Sequence, residues 1–202
     1  MKRILWDVDT QHDFMAPDGA LYFEGAHEAA PTMARLVAAA RAAGIPHVAS
    51  ADDHELIDPE ISDEPDWQST YPPHCLRGTR GAEKIRETRQ EAPVPLALAE
   101  VPDKWLKGRE FLLLKKSVDV FTNPHADRLL RLLDPDEIVL FGVATDICDD
   151  YAVRGLLERG RAVTFVEEAA RGLDPARSRA CVAAWREGGA RVATVDEVVG
   201  SL

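Results

Sequence analysis

The chain has 202 residues, 46% of them hydrophobic, and a formal net charge of −11. That length suits a single domain spanning 1–202 with a full core. The acidic balance argues against nucleic acid and anionic membranes as partners, and no apolar stretch approaches the ~18 residues of a membrane span.

Residues 3–8 read as a buried strand. Its lead-in, Met1-Lys2-Arg3-Ile4-Leu5-Trp6-Asp7, turns acidic after a few apolar residues, which is not the pattern of a signal peptide. Asp9-Thr10-Gln11-His12-Asp13-Phe14 follows at the carboxyl end of that strand, then a turn-rich loop through Pro17, Asp18 and Gly19. Residues 27–43 carry Met33, Leu36 and Val37 at helical spacing, with Gly44 as the stop. A second strand is expected at 46–50. Residues 51–80 form a long polar stretch, and loops of that length are usually functional or disordered. A short helix is expected over 81–88 and a short edge strand near 96–98. Residues 110–115, dominated by Phe111, Leu112, Leu113 and Leu114, predict a core strand. Pro124 opens a helix that runs through Leu133.

Residues 138–143 are apolar without alternation, which suits a strand covered on both faces. The turn 142–146 ends in Thr145 and Asp146, good helix N-caps. Ile147, Tyr151 and Gly155 then recur at helical spacing up to Gly160. A strand at 162–166, a helix at 175–187 and a last strand at 190–194 complete the chain. Strands alternating with helices give an α/β fold: a three-layer α/β/α sandwich on a mainly parallel, Rossmann-like sheet.

Parallel sheets place their sites at the carboxyl edge. Three core strands end there in a reactive type: Asp9, Lys115 and Cys148. Singly, each has an ordinary reading, as a turn cap, a solvated charge and a small buried hydrophobe. Together they are complementary. Cys148 lies in the first turn of a helix, where the dipole favours a thiolate. A carboxylate can take the thiol proton and later hand it to a leaving amine, and an ammonium can stabilise both anions. Cys75 and Cys181 read as structural. Three widely spaced cysteines fit a reducing, cytoplasmic setting better than a disulfide framework.

The chain resembles the isochorismatase-like cysteine hydrolase superfamily and, within it, the nicotinamidases. The motif Asp-x-Gln-x-Asp-Phe is matched by Asp9 to Phe14, and the family lysine six residues ahead of a Phe by Lys115 and Phe121. The nucleophile motif Gly-Val-Ala-Thr-Asp-x-Cys is matched by Gly142 to Cys148 without a mismatch. The resemblance runs from Arg3 to about Val199. It implies an isochorismatase-like fold with Asp9 as general base and acid, Lys115 as electrostatic partner and Cys148 as nucleophile. It further implies a cis peptide between Val143 and Ala144, with the amides of Ala144 and Cys148 forming an oxyanion hole.

Asp52 and His54 stand two apart after a strand, and His74 follows a Pro-Pro turn. A carboxylate and two imidazoles suit a divalent metal, Zn or else Fe or Mn; two surface histidines in a polar loop are the plainer reading. Nicotinamidases hold a metal with Asp-x-His and a later Trp-Pro-Pro-His-Cys, matched here with Tyr71 in place of Trp. Their further ligand, commonly His, has no evident counterpart, and Glu60, Asp63 or Glu64 could serve. Phe14 and Tyr71 match positions that sandwich the substrate ring, or else they are core aromatics. Trp67 reads as packing near the mouth.

These implications give a nicotinamidase-like amidohydrolase acting on a small-molecule amide, expected as a homo-oligomer. Another amidase of the superfamily, acting on carbamoyl or ureido groups, would not need the metal residues. A non-catalytic binding member is a further alternative, and isochorismatase chemistry, a vinyl-ether hydrolysis, a weaker one. Asp7-Val8-Asp9 also resembles the nucleophile loop of haloacid-dehalogenase-type phosphatases, but the later Gly-Asp metal motif is missing. No Gly-x-Gly-x-x-Gly follows the first strand, which argues against a dinucleotide fold.

Overall fold

The computed structural model describes residues 1–202, apart from the side chain of Asp103. The strands are β1 (Arg3–Val8), β2 (His47–Asp52), β3 (Val94–Leu96), β4 (Glu110–Lys115), β5 (Glu137–Val143), β6 (Val163–Arg171) and β7 (Arg191–Ala193). The helices are α1 (His12–Met15), α2 (Ala26–Ala42), α3 (Pro124–Leu133), α4 (Cys148–Glu158), α5 (Pro175–Glu187) and α6 (Val195–Ser201). The seven strands form one sheet in the order β3-β4-β2-β1-β5-β6-β7, and every pair is parallel. Helices α2 and α6 pack together on one side, and α4 packs on α5. The α/β/α class read from the alternating pattern is what forms. Among the described residues no helix is long and apolar enough to cross a membrane.

The burial explains the sequence pattern. Trp6, Phe111, Leu140, Phe141, Phe165 and Trp185 are all but fully buried, each contributing roughly 1.5–3 kcal/mol by leaving water. The helix starts follow capping chemistry where long-range demands do not intervene. The Asn123 side chain accepts from His125 N–H ahead of Pro124, and Asp174 accepts from Ala176 and Arg177 N–H ahead of Pro175. Helix α6, which the periodicity does not predict, opens with a Thr194–Glu197 capping box.

Four expectations are corrected. β2 runs on to Asp52, because its end is hydrogen-bonded to β4 in the register Asp52↔Lys115. β6 continues to Arg171 through a register shift against β5. Residues 81–88 form no α-helix; a 3-10 turn at Arg80–Ala82 precedes an extended run bridged to Gln11. Finally, neither Thr145 nor Asp146 caps α4. The N-cap is Ile147, with no side-chain hydrogen bond. Asp146 turns away to accept from the amides of Leu173 and Asp174.

Registers Val8↔Gly142 and Asp52↔Lys115 bring the carboxyl ends of β1, β5, β2 and β4 to the middle of one edge. This is where the chain's course through the sheet reverses, the usual place for a site. Gly142 (φ 145°) permits the close approach, since a Cβ there would overlap the Val8 carbonyl. We expect Gly142→Ala to cost about 2–3 kcal/mol and to lower the melting temperature; an unchanged thermal unfolding curve would contradict this account of the β1–β5 contact.

Candidate active site

Lys115 closes β4 and is 1% exposed. Its Nζ lies 2.8 Å from Asp9 Oδ2, 2.5 Å from Asp52 Oδ1 and 3.7 Å from Cys148 Sγ. Nζ thus donates hydrogen bonds to Asp52 and Cys148 and pairs ionically with Asp9. Asp9, just past β1, has left-handed backbone (φ 49°). Its amide donates to Ser50 O at 3.2 Å, and the Ser50 hydroxyl donates to its Oδ1 at 2.7 Å. Cys148 is the first residue of α4. The structure therefore brings the three strand-end residues of the sequence reading together.

The electrostatics differ from the expectation at Cys148. Burial pushes the thiol well above its ordinary value; Lys115 opposes this, and Asp9 and Asp52 add to it. A desolvated sulfur beside two carboxylates opposes the pull of the helix N-terminus and favours the thiol. Asp9 is raised, first by burial, with Lys115 opposing and Asp52 adding. Burial alone would also raise Asp52, but the Lys115 ammonium outweighs it, helped by His74 and His54, and holds the carboxyl well below its usual range. At Lys115 burial is overcome by Asp52 and Asp9, so the ammonium stays charged.

Asp52 leads into a second group. Asp52, His54, Glu60 and His74 are all buried, and their donor atoms all lie within 4.8 Å of one another. His74 Nε2 is 3.6 Å from Asp52 Oδ2, and His54 Nε2 is 3.8 Å from Glu60 Oε1 and 3.9 Å from Asp52 Oδ1. These gaps exceed hydrogen bonds but approach the separation of about 3.4 Å between ligands sharing one tetrahedral ion at about 2.1 Å. His54 Nε2 is buried with no hydrogen-bond partner among the described residues. The His74 Nδ1 meets Pro72 O at 2.7 Å, leaving Nε2 to face the group. Burial, then the Asp52 charge, pushes Glu60 up to about 7. A cation would relieve both features, so the residues fit a divalent metal. Of the three further ligands considered, Glu60 joins the group; Asp63 and Glu64 are exposed on the surface.

The two groups border one pocket, lined by Phe14, Tyr71, His74, Ala144, Ile147 and Cys148 among others. Phe14 stacks on Phe23 at 5.2 Å and stands 5.3 Å from His74. Tyr71 is 6.2 Å from His74, and half-exposed Trp67 meets it edge-on. The Val143–Ala144 peptide is cis. Neither the Ala144 nor the Cys148 amide donates to a backbone carbonyl among the turn and loop hydrogen bonds of the described residues.

Several supporting residues escaped the sequence reading. Gln11 Oε1 accepts from Asp52 N–H and its Nε2 donates to Asp52 O, both at 2.7 Å. Asp13 accepts from the amides of Ala20 and Cys75, tying two loops together. The second and third polar positions of Asp-x-Gln-x-Asp were the signal for these. Buried Ser50 and Lys84 had none.

The comparisons with known proteins show the family and the fold. The isochorismatase domain family model matches residues 4–197, and the chain belongs to that family. It is an isochorismatase-family hydrolase. The chain is 29% identical over 201 residues to the nicotinamidase/pyrazinamidase of Mycobacterium tuberculosis (strain ATCC 25618 / H37Rv), covering 98% of this chain and 100% of that protein. A crystal structure of the pyrazinamidase of Pyrococcus horikoshii in complex with zinc superposes with a TM-score of 0.76 at 20% identity, covering 96% and 99% of the two chains. The N-carbamoylsarcosine amidase from Thermoplasma acidophilum superposes with a TM-score of 0.75 at 27% identity, covering 97% and 98%.

Glu60→Ala and His54→Ala are each expected to lower bound metal by about ten-fold or more, whereas Asp63→Ala and Glu64→Ala leave it unchanged. Elemental analysis of the purified proteins decides this. Equal metal in the first pair and the wild type would show that the four donors do not form one site.

Proposed function

We propose that the chain is a cysteine amidohydrolase of nicotinamidase type, converting nicotinamide and water to nicotinate and ammonia through a thioester. The observation that carries this reading is the buried ammonium of Lys115, set 2.8 Å from Asp9 and 3.7 Å from Cys148, a residue that lines the pocket. The nicotinamidase/pyrazinamidase relative supports the substrate class.

The resting thiol sets the first step. Asp9 takes the Cys148 proton as the sulfur attacks the amide carbon, and Lys115 offsets the negative charge that develops. The carbonyl oxygen gains charge as the C–S bond forms, and the amides of Ala144 and Cys148 are available to bind it. Asp9 then gives its proton to the nitrogen as the C–N bond breaks, releasing ammonia. Water attacks the thioester, Asp9 takes a proton from it, and the departing sulfur recovers that proton. Phe14 and Tyr71 flank the planar ring. Asp52, His54, Glu60 and His74 would hold the metal, zinc by analogy with the zinc-bound pyrazinamidase and otherwise iron or manganese. When bound, the metal supplies a Lewis-acidic contact for the ring nitrogen.

The second reading, a carbamoyl or ureido amidase, draws on the N-carbamoylsarcosine amidase likeness. It leaves the four convergent donors without a purpose, so the nicotinamide-type reading is preferred.

The test is ammonia release from nicotinamide, pyrazinamide and N-carbamoyl amino acids by the metal-loaded protein. Turnover is expected with the first two. Cys148→Ala and Asp9→Asn should each lower it by about 1,000-fold or more while the fold persists. Undiminished turnover in Cys148→Ala overturns the mechanism, and release from the carbamoyl compounds alone overturns the substrate assignment.

A further inference from the structure

After the 3-10 turn at Arg80–Ala82 the chain runs extended over residues 83–85 before a turn at 86–88, and it carries a buried lysine against the carboxyl end of β1. Gln11 and Lys84 form an isolated antiparallel bridge. His12 N–H donates to Glu83 O at 2.8 Å and Ile85 N–H to Thr10 O at 3.0 Å. The run thereby covers the first residues after β1. Lys84 is 8% exposed. Its Nζ donates to Ser50 O at 2.9 Å and to Asp7 Oδ1 at 3.0 Å.

Ser50 is the junction between this ammonium and the reacting centre. Its carbonyl accepts from both Lys84 and the Asp9 amide, and its hydroxyl donates to Asp9 Oδ1. The other Asp9 oxygen faces Lys115. A carboxylate that must serve a thiol and then a leaving nitrogen has to keep one oxygen aimed at both, and here the aim depends on Ser50. Asp7 balances the charge of Lys84. It accepts a hydrogen bond from the Thr10 hydroxyl at 2.8 Å and lies 3.6 Å from His47 Nε2.

We propose that Lys84 is a positioning residue for Asp9, acting through Ser50; this rests on the reading of Asp9 as the proton shuttle. A structural role alone would be a weak reason for burying the pair. Desolvating an ammonium and a carboxylate consumes most of their attraction, and an apolar pair of similar volume commonly serves a fold as well. What an apolar pair cannot supply is a donor for the Ser50 carbonyl.

The test uses the full chain in its metal-loaded form. The double variant Asp7→Asn/Lys84→Met removes both buried charges together, so that neither is left unpaired. It should keep the wild-type metal content and a melting temperature near that of the wild type. Its kcat for nicotinamide should fall about ten-fold or more, with KM changed by less than about three-fold. Alkylation of Cys148 by iodoacetamide, read by mass spectrometry of its peptide, should slow to a similar extent, and this measurement needs no assumption about substrate. Ser50→Ala should lower both rates likewise, and the triple variant should be no slower than Ser50→Ala alone, because the two changes break one linkage. Wild-type kcat and alkylation in the double variant overturn the proposal, as does a triple variant slowed by the product of the separate effects. If the double variant does not fold, Ser50→Ala decides, and wild-type rates there overturn it too. Failure of the underlying reading has its own mark: Asp9→Asn would then alkylate and turn over at wild-type rates.

Discussion

One ammonium organises the site. Lys115 is buried among Asp9, Asp52 and Cys148, and no water-exposed route offsets its charge. At an effective dielectric near 20, an ion pair at these distances is worth roughly 6 kcal/mol, and taking each ion from water costs several kcal/mol in return. A single carboxylate would leave the balance near zero. Two carboxylates hold the cation: Asp52 at the end of β2, which neighbours β4, and Asp9 just past β1, one strand further on. The level strand ends fixed by the β1–β2 and β2–β4 registers are therefore a condition for the charge to be held there. A slip of one residue would send Lys115 to the opposite face of the sheet and leave two buried carboxylates with no cation between them.

The same burial decides what state the nucleophile waits in. Position at a helix start argues for a thiolate: no side chain caps α4, and although the Asp149 amide donates to Ala144 O, the Cys148 amide has no acceptor among the turn and loop hydrogen bonds of the described residues. Yet the sulfur is enclosed and sits beside two carboxylates. The site trades a standing thiolate for a thiol whose proton has a near acceptor. In the proposed mechanism that arrangement would suit an acceptor that becomes a proton donor one step later, because burial raises the Asp9 carboxyl. In the proposed mechanism the Ala144 and Cys148 amides would serve the substrate oxygen, where new charge appears, instead of the resting sulfur.

Much of this was legible in the letters because strand ends are local features. The bounds of β1, β4, α3 and α5 follow from apolar runs and from Pro or Asx starts, and each run delivers its reactive residue at a countable position. The failures share one cause, a partner distant in sequence. Asp146 looks like a cap for α4, but the amides of Leu173 and Asp174 claim it. Residues 81–88 look helical in isolation, yet Thr10 and His12 offer backbone partners to an extended run. Glu60 could not be told from Asp63 or Glu64 by spacing, because what selects it is burial against His54 and the Val118 amide. Lys84 carries no local signal of any kind; only the sheet shows that its side chain ends under Ser50.

Asp52 ties the two halves of the pocket into one electrostatic unit. One of its oxygens faces Lys115 and the other faces His74. Its backbone is gripped on both sides by the Gln11 amide, two residues from Asp9. The carboxylate cannot swing toward one partner without losing the other. Positive charge gathered by His54, Glu60 and His74 must therefore draw on the same anion that steadies Lys115, and Lys115 in turn shares itself between Asp52 and Asp9. The candidate metal-holding group and the Asp9–Lys115–Cys148 cluster are thus linked through two side chains, a carboxylate and an ammonium in contact. Under the proposed mechanism the Asp-x-Gln spacing would be the means of that coupling: Asp9 would move the proton, and Gln11 holds the Asp52 backbone, whose carboxylate balances it, in place.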